Sequence, residues 1–425
     1  MRLIALIENQ VIGHLASDPH GHPRFTYTPD WRQSKSAIPL SLNLPLSKED
    51  HPTEAVNAVL WGLLPDNEAT LQRWASRFQV SPRNPLALLS HVGEDCAGAV
   101  QFVTEARLQD VLSGAGDGIE PLTDGELEAR LRRLRQDVGA ARQVDDVGQF
   151  SLAGAQAKIA LLHDGVQWAI PAGRIPTTHI LKPPSEEYDG FVENELFCLR
   201  LAHSIGLPTA TAQALRVGDE TAICVERYDR IAIDGRLLRI HQEDICQALG
   251  VMPQLKYQSQ GGPGPAALSQ LLWTHSSQAR QDVETLFQAL VFNHLIGGTD
   301  AHAKNYSLLL GQHRQVRLAP LYDISSALPY PQLQQRKIKM AMKVGSHYRW
   351  WDIRPGDWRQ LAETLRLDAA ACLAWMAVAA SDLPDRARDL AVVLQQEGVA
   401  HPVLDALVDA IAASCQRMRT LLQSH

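Results

Sequence analysis

Gly297-Gly298-Thr299-Asp300-Ala301-His302-Ala303-Lys304-Asn305, followed by Pro320-Leu321-Tyr322-Asp323-Ile324, is the stretch on which the reading of this 425-residue chain turns. It carries a carboxylate at Asp300, an amide five residues on at Asn305, and a second carboxylate eighteen residues after that at Asp323. Two acids flanking an amide are what Mg²⁺-dependent phosphoryl transfer from ATP requires. One Asp orients and deprotonates the attacking hydroxyl, while the Asn and the other Asp hold the metal against the phosphates. Mg²⁺ is a hard ion that takes one or two carboxylates together with waters and phosphate oxygens. An ordinary polar loop with an N-capping Asp accounts equally well for Asp300 alone.

The surroundings suit a catalytic loop. The apolar run 283–296 (VETLFQALVFNHLI) reads as a buried helix, because its apolar residues lie nearly all round. Gly297-Gly298 ends it, glycine being the residue that accepts a left-handed C-terminus. Residues 306–310 (YSLLL) and 315–318 (QVRL) read as a hairpin. The loop is thereby held between a rigid helix and a hairpin, with Asp323 just beyond it.

Upstream lie the other parts that such chemistry needs. Residues 158–163 read as a strand, Asp164-Gly165 as a two-residue hairpin turn, and 166–170 as the returning strand. The preceding residues 151–156 are small, so backbone N–H groups there could approach phosphates. The segment matches neither GxGxxG nor GxxxxGK[ST], and a plain strand-edge loop fits it as well. Thr178-His179-Ile180-Leu181-Lys182 reads as a strand ending in a lysine that can pair with ATP phosphates. Ala222-Ile223-Cys224-Val225-Glu226-Arg227-Tyr228 reads as a strand running into a hinge that offers backbone groups to adenine. A solvated strand end is the plain alternative for both.

In this order the segments resemble the HipA family of Ser/Thr protein kinases, toxins of type II toxin–antitoxin modules. The matching segments are SLAGAQAKIALL (151–162), PTTHILKPP (176–184), NELFCLRLA (194–202), VERYDR (225–230), HQEDICQALG (241–250), KYQSQGGPG (256–264), LIGGTDAHAKNYSLLL (295–310) and LAPLYDISSALP (318–329). Gly13-His14-Leu15, Phe25-Thr26-Tyr27, 39–46 (PLSLNLPL) and Gly62-Leu63-Leu64-Pro65-Asp66 extend the likeness to the N-terminal part. It spans nearly the whole chain, with no departure at positions expected to carry chemistry.

The resemblance implies an α+β, two-lobed, protein-kinase-like fold. A small mixed N-terminal domain (1–105) and a helical linker or brace (106–149) would precede a strand-rich nucleotide lobe (150–235) and a mainly helical C-terminal lobe (236–425). It implies Asp300 as catalytic base and Asn305 and Asp323 as Mg²⁺ ligands. Lys182 would contact the ATP phosphates, and Ala153, Gly154, Ala155, Gln156, Ala157 and Lys158 would form the phosphate loop. Glu226, Arg227 and Tyr228 would hold the adenine end, and His302, Ala303, Lys304, Asn305, Tyr322 and Asp323 would line the nucleotide site. Glu195 is the candidate partner of Lys182. Ser151 matches the family's autophosphorylation site, and a phosphate there would repel the phosphates its loop must cradle. The implied cofactors are ATP and Mg²⁺. The implied partners are a HipB-like helix-turn-helix antitoxin, operator DNA reached mainly through it, and an aminoacyl-tRNA synthetase as protein substrate. The glutamyl enzyme is the best-known family choice, and its loss would produce growth arrest and persistence. Two other readings stay open: an inactive kinase fold acting as corepressor, and a small-molecule kinase.

Composition excludes more than it suggests. A net charge of −7 gives no global basic footprint for independent nucleic-acid binding. The 6 cysteines show no CxxC spacing, so neither a zinc site nor a disulfide framework is expected, in keeping with a reducing cytoplasm. No apolar run is long enough for a membrane span, and the start of the chain lacks a signal peptide's apolar core and cleavage site. Residues 123–137 (TDGELEARLRRLRQD) read as an amphipathic surface helix, with Glu/Arg pairs at helical spacing. Lys337, Lys339 and Lys343 form a basic cluster best read as a solvated face. Gly261-Gly262-Pro263-Gly264 reads as a structural turn rather than a phosphate loop. Residues 357–422 read as three helices, broken near Leu383-Pro384 and 398–402.

Overall fold

The computed structural model describes residues 1–137, 151–154, 156–184 and 188–424. They form two compact units of interleaved sequence. The first comprises Met1–Pro183, Leu215–Gln254 and Leu308–Val316, and the second Pro184–Ala214, Leu255–Ser307 and Arg317–His425.

The first unit opens with a hairpin of Arg2–Ile7 and Gln10–Ser17 whose register closes at Ile7↔Gln10. Its two turn residues, Glu8 and Asn9, both take positive φ (47° and 60°), the conformation that matches the right-handed twist of the flanking strands. Pro23–Tyr27 and Gln101–Thr104 complete a four-stranded sheet. Val111 of the helix Glu105–Ser113 packs on Ile4, Leu6 and Val103. Three further helices, Thr53–Gly62, Glu68–Phe78 and Pro85–Val92, give 1–105 more helix than its sequence suggests. Their start signals are local: Asn67 accepts from Thr70 N, Asn84 accepts from Ala87 N, and a proline occupies the first turn after Asn84.

A six-stranded sheet follows. Its order is Gly118–Leu122, Trp168–Ala172, Ile159–His163, His179–Lys182, Glu220–Glu226, Ala212–Val217. The expected surface helix is present as Asp124–Gln136, opened by a capping box between Thr123 and Glu126. Its Leu127, Leu131 and Leu134 bury against Ile159, Leu161, Leu181 and Ala222. The hairpin at Asp164-Gly165 differs from expectation. His163 pairs with Trp168, so four residues separate the strands rather than two. Asp164 Oδ1 accepts from both Val166 N and Gln167 N at 2.9 Å, and this side-chain turn outcompetes the tighter one.

The second unit is helical. Ala279–Ile296 is buried along most of its length and stops at Gly297 in the left-handed conformation (φ 67°). A Cβ at Gly297 would lie 2.4 Å from Leu328 Cγ, so no other residue fits there. Around it lie Phe191–Ser204, Pro265–His275, Pro355–Thr364, Ala369–Gln396 and Pro402–Gln423. The break expected at Leu383-Pro384 is absent, for Pro384 lies inside the continuous Ala369–Gln396 helix. Burial of Met376, Ala380, Leu383, Ala387 and Leu394 along that helix offsets the one N–H that proline lacks. The true break is earlier, where Arg366 takes φ 61° and Asp368 accepts from Ala370 N and Ala371 N to start the next helix. A hairpin of Lys339–Val344 and His347–Arg349 went unforeseen, and Lys343 of the basic cluster lies 5.1 Å over the Tyr348 ring. All 6 cysteines are buried and unbridged. No described helix is long and apolar enough to cross a membrane.

Candidate active site

In the second unit the Ala279–Ile296 helix delivers the chain directly into the acidic loop. Asp300 is exposed, and its carbonyl accepts from His302 N at 2.8 Å and from Asn305 Nδ2 at 2.9 Å. Ala303–Asn305 forms one buried 3-10 turn. With its amide nitrogen engaged by Asp300, Asn305 keeps Oδ1 as its remaining acceptor, the atom that a hard cation would use. Tyr322 fastens the second half of the site to the first. Its hydroxyl donates to Lys304 O at 2.6 Å and lies 2.7 Å from Ser307 Oγ. Leu321 is clamped on both sides, its N–H donating to Pro208 O and its carbonyl accepting from Ala210 N, each at 2.8 Å. Downstream, Ser326 donates from its hydroxyl to Ile296 O at 2.5 Å and from its N–H to Asn194 Oδ1 at 2.8 Å. Between these anchors Asp323 sits at φ 58°, a conformation rare for a residue with a side chain and typical of strained functional positions.

The charges of both carboxylates act on His302. Its ring is buried and its Nδ1 has no hydrogen-bond partner. Burial lowers its pKa and Lys256 adds to this, while Asp300 and Asp323 both act on it in the opposite sense. Tyr257, absent from the sequence-based set, completes the group. Its hydroxyl donates to Asp300 Oδ1 at 2.5 Å, and its ring meets His302 edge-on at 5.0 Å. Among the described residues no cluster of three or more His, Cys, Asp or Glu is arranged for a metal. The amide and carboxylates of Asn305 and Asp323 suit an oxygen-seeking ion whose remaining ligands come from phosphate and water.

The first unit holds the other candidates. Ser151 is fully buried; its hydroxyl donates to Leu63 O at 2.7 Å and its N–H to Asp95 O at 3.0 Å. Gly154, at φ 104°, accepts from Asp66 N at 3.1 Å. Lys158 Nζ closes the loop on Ala153 O at 2.8 Å. A Cβ at Gly154 would come within 2.5 Å of that Nζ. Gln156 and Ala157 continue this loop, and Ala155 lies outside the described residues. Lys182 is buried at the end of its strand, paired in register with Ile223. Glu195, buried on the Phe191–Ser204 helix, belongs to the second unit.

Of the hinge residues, Glu226 is exposed at its strand end, whereas Arg227 points inward. Its guanidinium pairs with Asp229 at 2.8 Å and donates to Thr177 Oγ1 and Cys96 O, each at 2.9 Å. Its N–H donates to Thr178 O at 2.9 Å, so Arg227 anchors the strand end through both its backbone and its side chain. Tyr228 donates its hydroxyl to Gln242 Oε1. Sequence reading missed the centre of this network. Asp95 pairs with Arg230 at 2.9 Å and Arg239 at 3.1 Å, and also faces Arg227. Burial opposes ionisation of Asp95, yet the three arginines hold its carboxyl well below the usual range. Burial likewise works against Asp229, and Arg227 and Arg230 bring it down to about 2.

Fold and loop together define a two-unit α+β protein with a lysine-closed glycine loop in its first unit and a carboxylate–amide–carboxylate loop in its second. The comparison with known proteins gives it a family. The HipA N-terminal domain model matches residues 3–103, and the HipA-like C-terminal domain model matches residues 150–387. The chain belongs to the HipA family. It is 36% identical over 368 residues to Y4mE of Sinorhizobium fredii, named as a candidate kinase, with 84% of each chain covered. It is 31% identical over 335 residues to the serine/threonine-protein kinase toxin HipA of Shewanella oneidensis, covering 76% of this chain and 73% of that one. Its structure matches a chain in the solved complex of Shewanella oneidensis HipA, HipB and operator DNA with a TM-score of 0.84 at 26% identity, covering 99% of this chain and 98% of that one.

Proposed function

We propose that this protein is an ATP- and Mg²⁺-dependent Ser/Thr protein kinase serving as the toxin of a type II toxin–antitoxin pair. The observation that carries the reading is the acidic loop. Asp300 is exposed to an incoming hydroxyl, Asn305 is locked with one oxygen to spare, and Asp323 is held in an uncommon backbone conformation beside the same histidine. Asp300 is the base toward a Ser or Thr hydroxyl. Asn305 and Asp323 hold Mg²⁺, which when bound offsets phosphate charge. Lys182 and the 153–158 loop take the phosphates, Glu226, Arg227 and Tyr228 the adenine end, and His302, Ala303, Lys304 and Tyr322 the nucleotide's flank. Glu195 is the proposed partner of Lys182. The intact acids and lysine favour a live enzyme over an inactive corepressor.

The related Shewanella oneidensis protein was solved with HipB and operator DNA. By analogy, a small helix-turn-helix antitoxin restrains this chain, and DNA is met mainly through it, in keeping with a net charge of −7. The substrate is an aminoacyl-tRNA synthetase, the glutamyl enzyme first, so that phosphorylation blocks tRNA charging and arrests growth. The test is transfer of labelled phosphate from Mg²⁺-ATP to purified synthetases, with Asp300→Asn as control. Label on the glutamyl enzyme, absent with the variant, supports the reading. Label on no synthetase while the chain labels itself removes this substrate class and leaves the kinase.

A further inference from the structure

The segment KYQSQGGPG (256–264) is built against the acidic loop, yet none of the roles above uses it. Lys256 O accepts from Ala303 N at 3.2 Å, inside the loop itself. Tyr257 O accepts from Gln260 N and Gly262 N, both at 3.0 Å. Gly262 is obligatory, since a Cβ there would lie 1.8 Å from Leu255 O. Lys256 Nζ stands 5.7 Å from the centre of the Tyr257 ring, and the His302 ring meets it at 85° with 5.0 Å between centroids. The backbone and ring of Tyr257 are thus fixed relative to Asp300.

We propose that Tyr257 is the positioning residue of the Asp300 base: its phenol O–H, donated to Oδ1 at 2.5 Å, holds that oxygen so that the other faces the attacking hydroxyl. The inference deepens the kinase reading and rests on it. An exposed aspartate on a loop has two side-chain torsions to lose, and a misaimed base forfeits much of its benefit. A charge-assisted O–H···O bond from a residue anchored elsewhere is among the strongest means of fixing such a carboxylate. A tyrosine hydroxyl on a base could instead block the place of the incoming hydroxyl. Two features favour positioning: the tyrosine is tied through its main chain to the loop it serves, and it engages one oxygen of the two.

Substitution separates the cases. ADP formation from Mg²⁺-ATP is measured for the full chain as wild type, Tyr257→Phe, Asp300→Asn and the double variant, with thermal midpoints alongside. Phenylalanine keeps the ring contact with His302 and removes only the donor. The expected result is a kcat about tenfold lower for Tyr257→Phe with KM for ATP within about twofold, and no further loss when it is added to Asp300→Asn. A rate equal to or above wild type overturns the proposal, as does an equal proportional loss in the Asp300→Asn background. A dephosphorylated wild type that neither forms ADP nor labels itself or an added synthetase refutes the kinase reading itself. An active wild type with an indifferent Tyr257→Phe refutes only this role.

Discussion

Phosphorylation of Ser151 should expel its loop, and the structure sets the scale of the effect. The side chain is fully buried, with its hydroxyl on Leu63 O at 2.7 Å, its N–H on Asp95 O at 3.0 Å, and Gly154 O taking Asp66 N at 3.1 Å. Three such bonds contribute about 3 kcal/mol at about 1 kcal/mol each. A phosphate adds about −2 charge where the hydroxyl now faces a carbonyl oxygen, converting a donor into an acceptor against an acceptor. The nearby arginines are already matched to Asp95 and Asp229. Keeping an unpaired buried charge costs several kcal/mol, more than the three bonds return. A net imbalance of about 2 kcal/mol favours release by roughly thirtyfold. The assay is amide hydrogen exchange at Asp66 and Ser151, with Mg²⁺-ATP affinity measured on the same samples. The phosphorylated form should exchange at least about tenfold faster at both amides and bind ATP correspondingly more weakly. Unchanged protection together with unchanged affinity in the phosphorylated protein would show that the pocket accommodates the phosphate and that the charge argument fails.

Other outcomes follow from the same contacts. Asp95→Ala removes the buried carboxylate that Arg227, Arg230 and Arg239 share, leaving Asp229 paired with the first two and Arg239 without its acid, and should cost about 3–5 kcal/mol, seen as a lower urea midpoint. Glu243 is buried, which raises its pKa to about 8 although Leu42 N donates to it. Its folded pKa therefore lies above the unfolded one, and the fold binds its proton more tightly. Its contribution is fully present below the unfolded value and is lost as pH rises toward and through about 8. Glu243→Gln should accordingly gain thermal stability relative to wild type as pH rises from about 5 to about 8. An advantage that does not change with pH would mean that Glu243 is not the group titrating. Pro384→Ala restores an N–H inside the Ala369–Gln396 helix and should raise stability by about 1–3 kcal/mol, read by calorimetry.

Much of this arrangement is written in local sequence. The apolar run before Gly297 gives a buried helix and its stop, and the lysine strand falls where pattern and punctuation place it. What was misread or missed depends on contacts distant in sequence. Pro384 looked like a breaker because its cost is local, whereas the packing that tolerates it comes from the whole helix. Tyr257 lies 43 residues before Asp300, and nothing in either segment marks the hydrogen bond between them. Asp95 is 132 residues from Arg227, and nothing in either segment marks the contact between them. Positive φ at Asp323 is likewise invisible in the letters, since the flanking clamps on Leu321 and Ser326 impose it.

The decisive measurement is intact mass and phosphopeptide analysis of the purified, dephosphorylated chain after incubation with Mg²⁺-ATP, beside Asp300→Asn. A gain of one phosphate on Ser151, absent from the variant, is the expected result. It would establish phosphoryl transfer dependent on the acidic loop. No gain from an unmodified start, or equal gain in Asp300→Asn, would contradict the assignment of that loop as the site of catalysis acting on this chain's own serine.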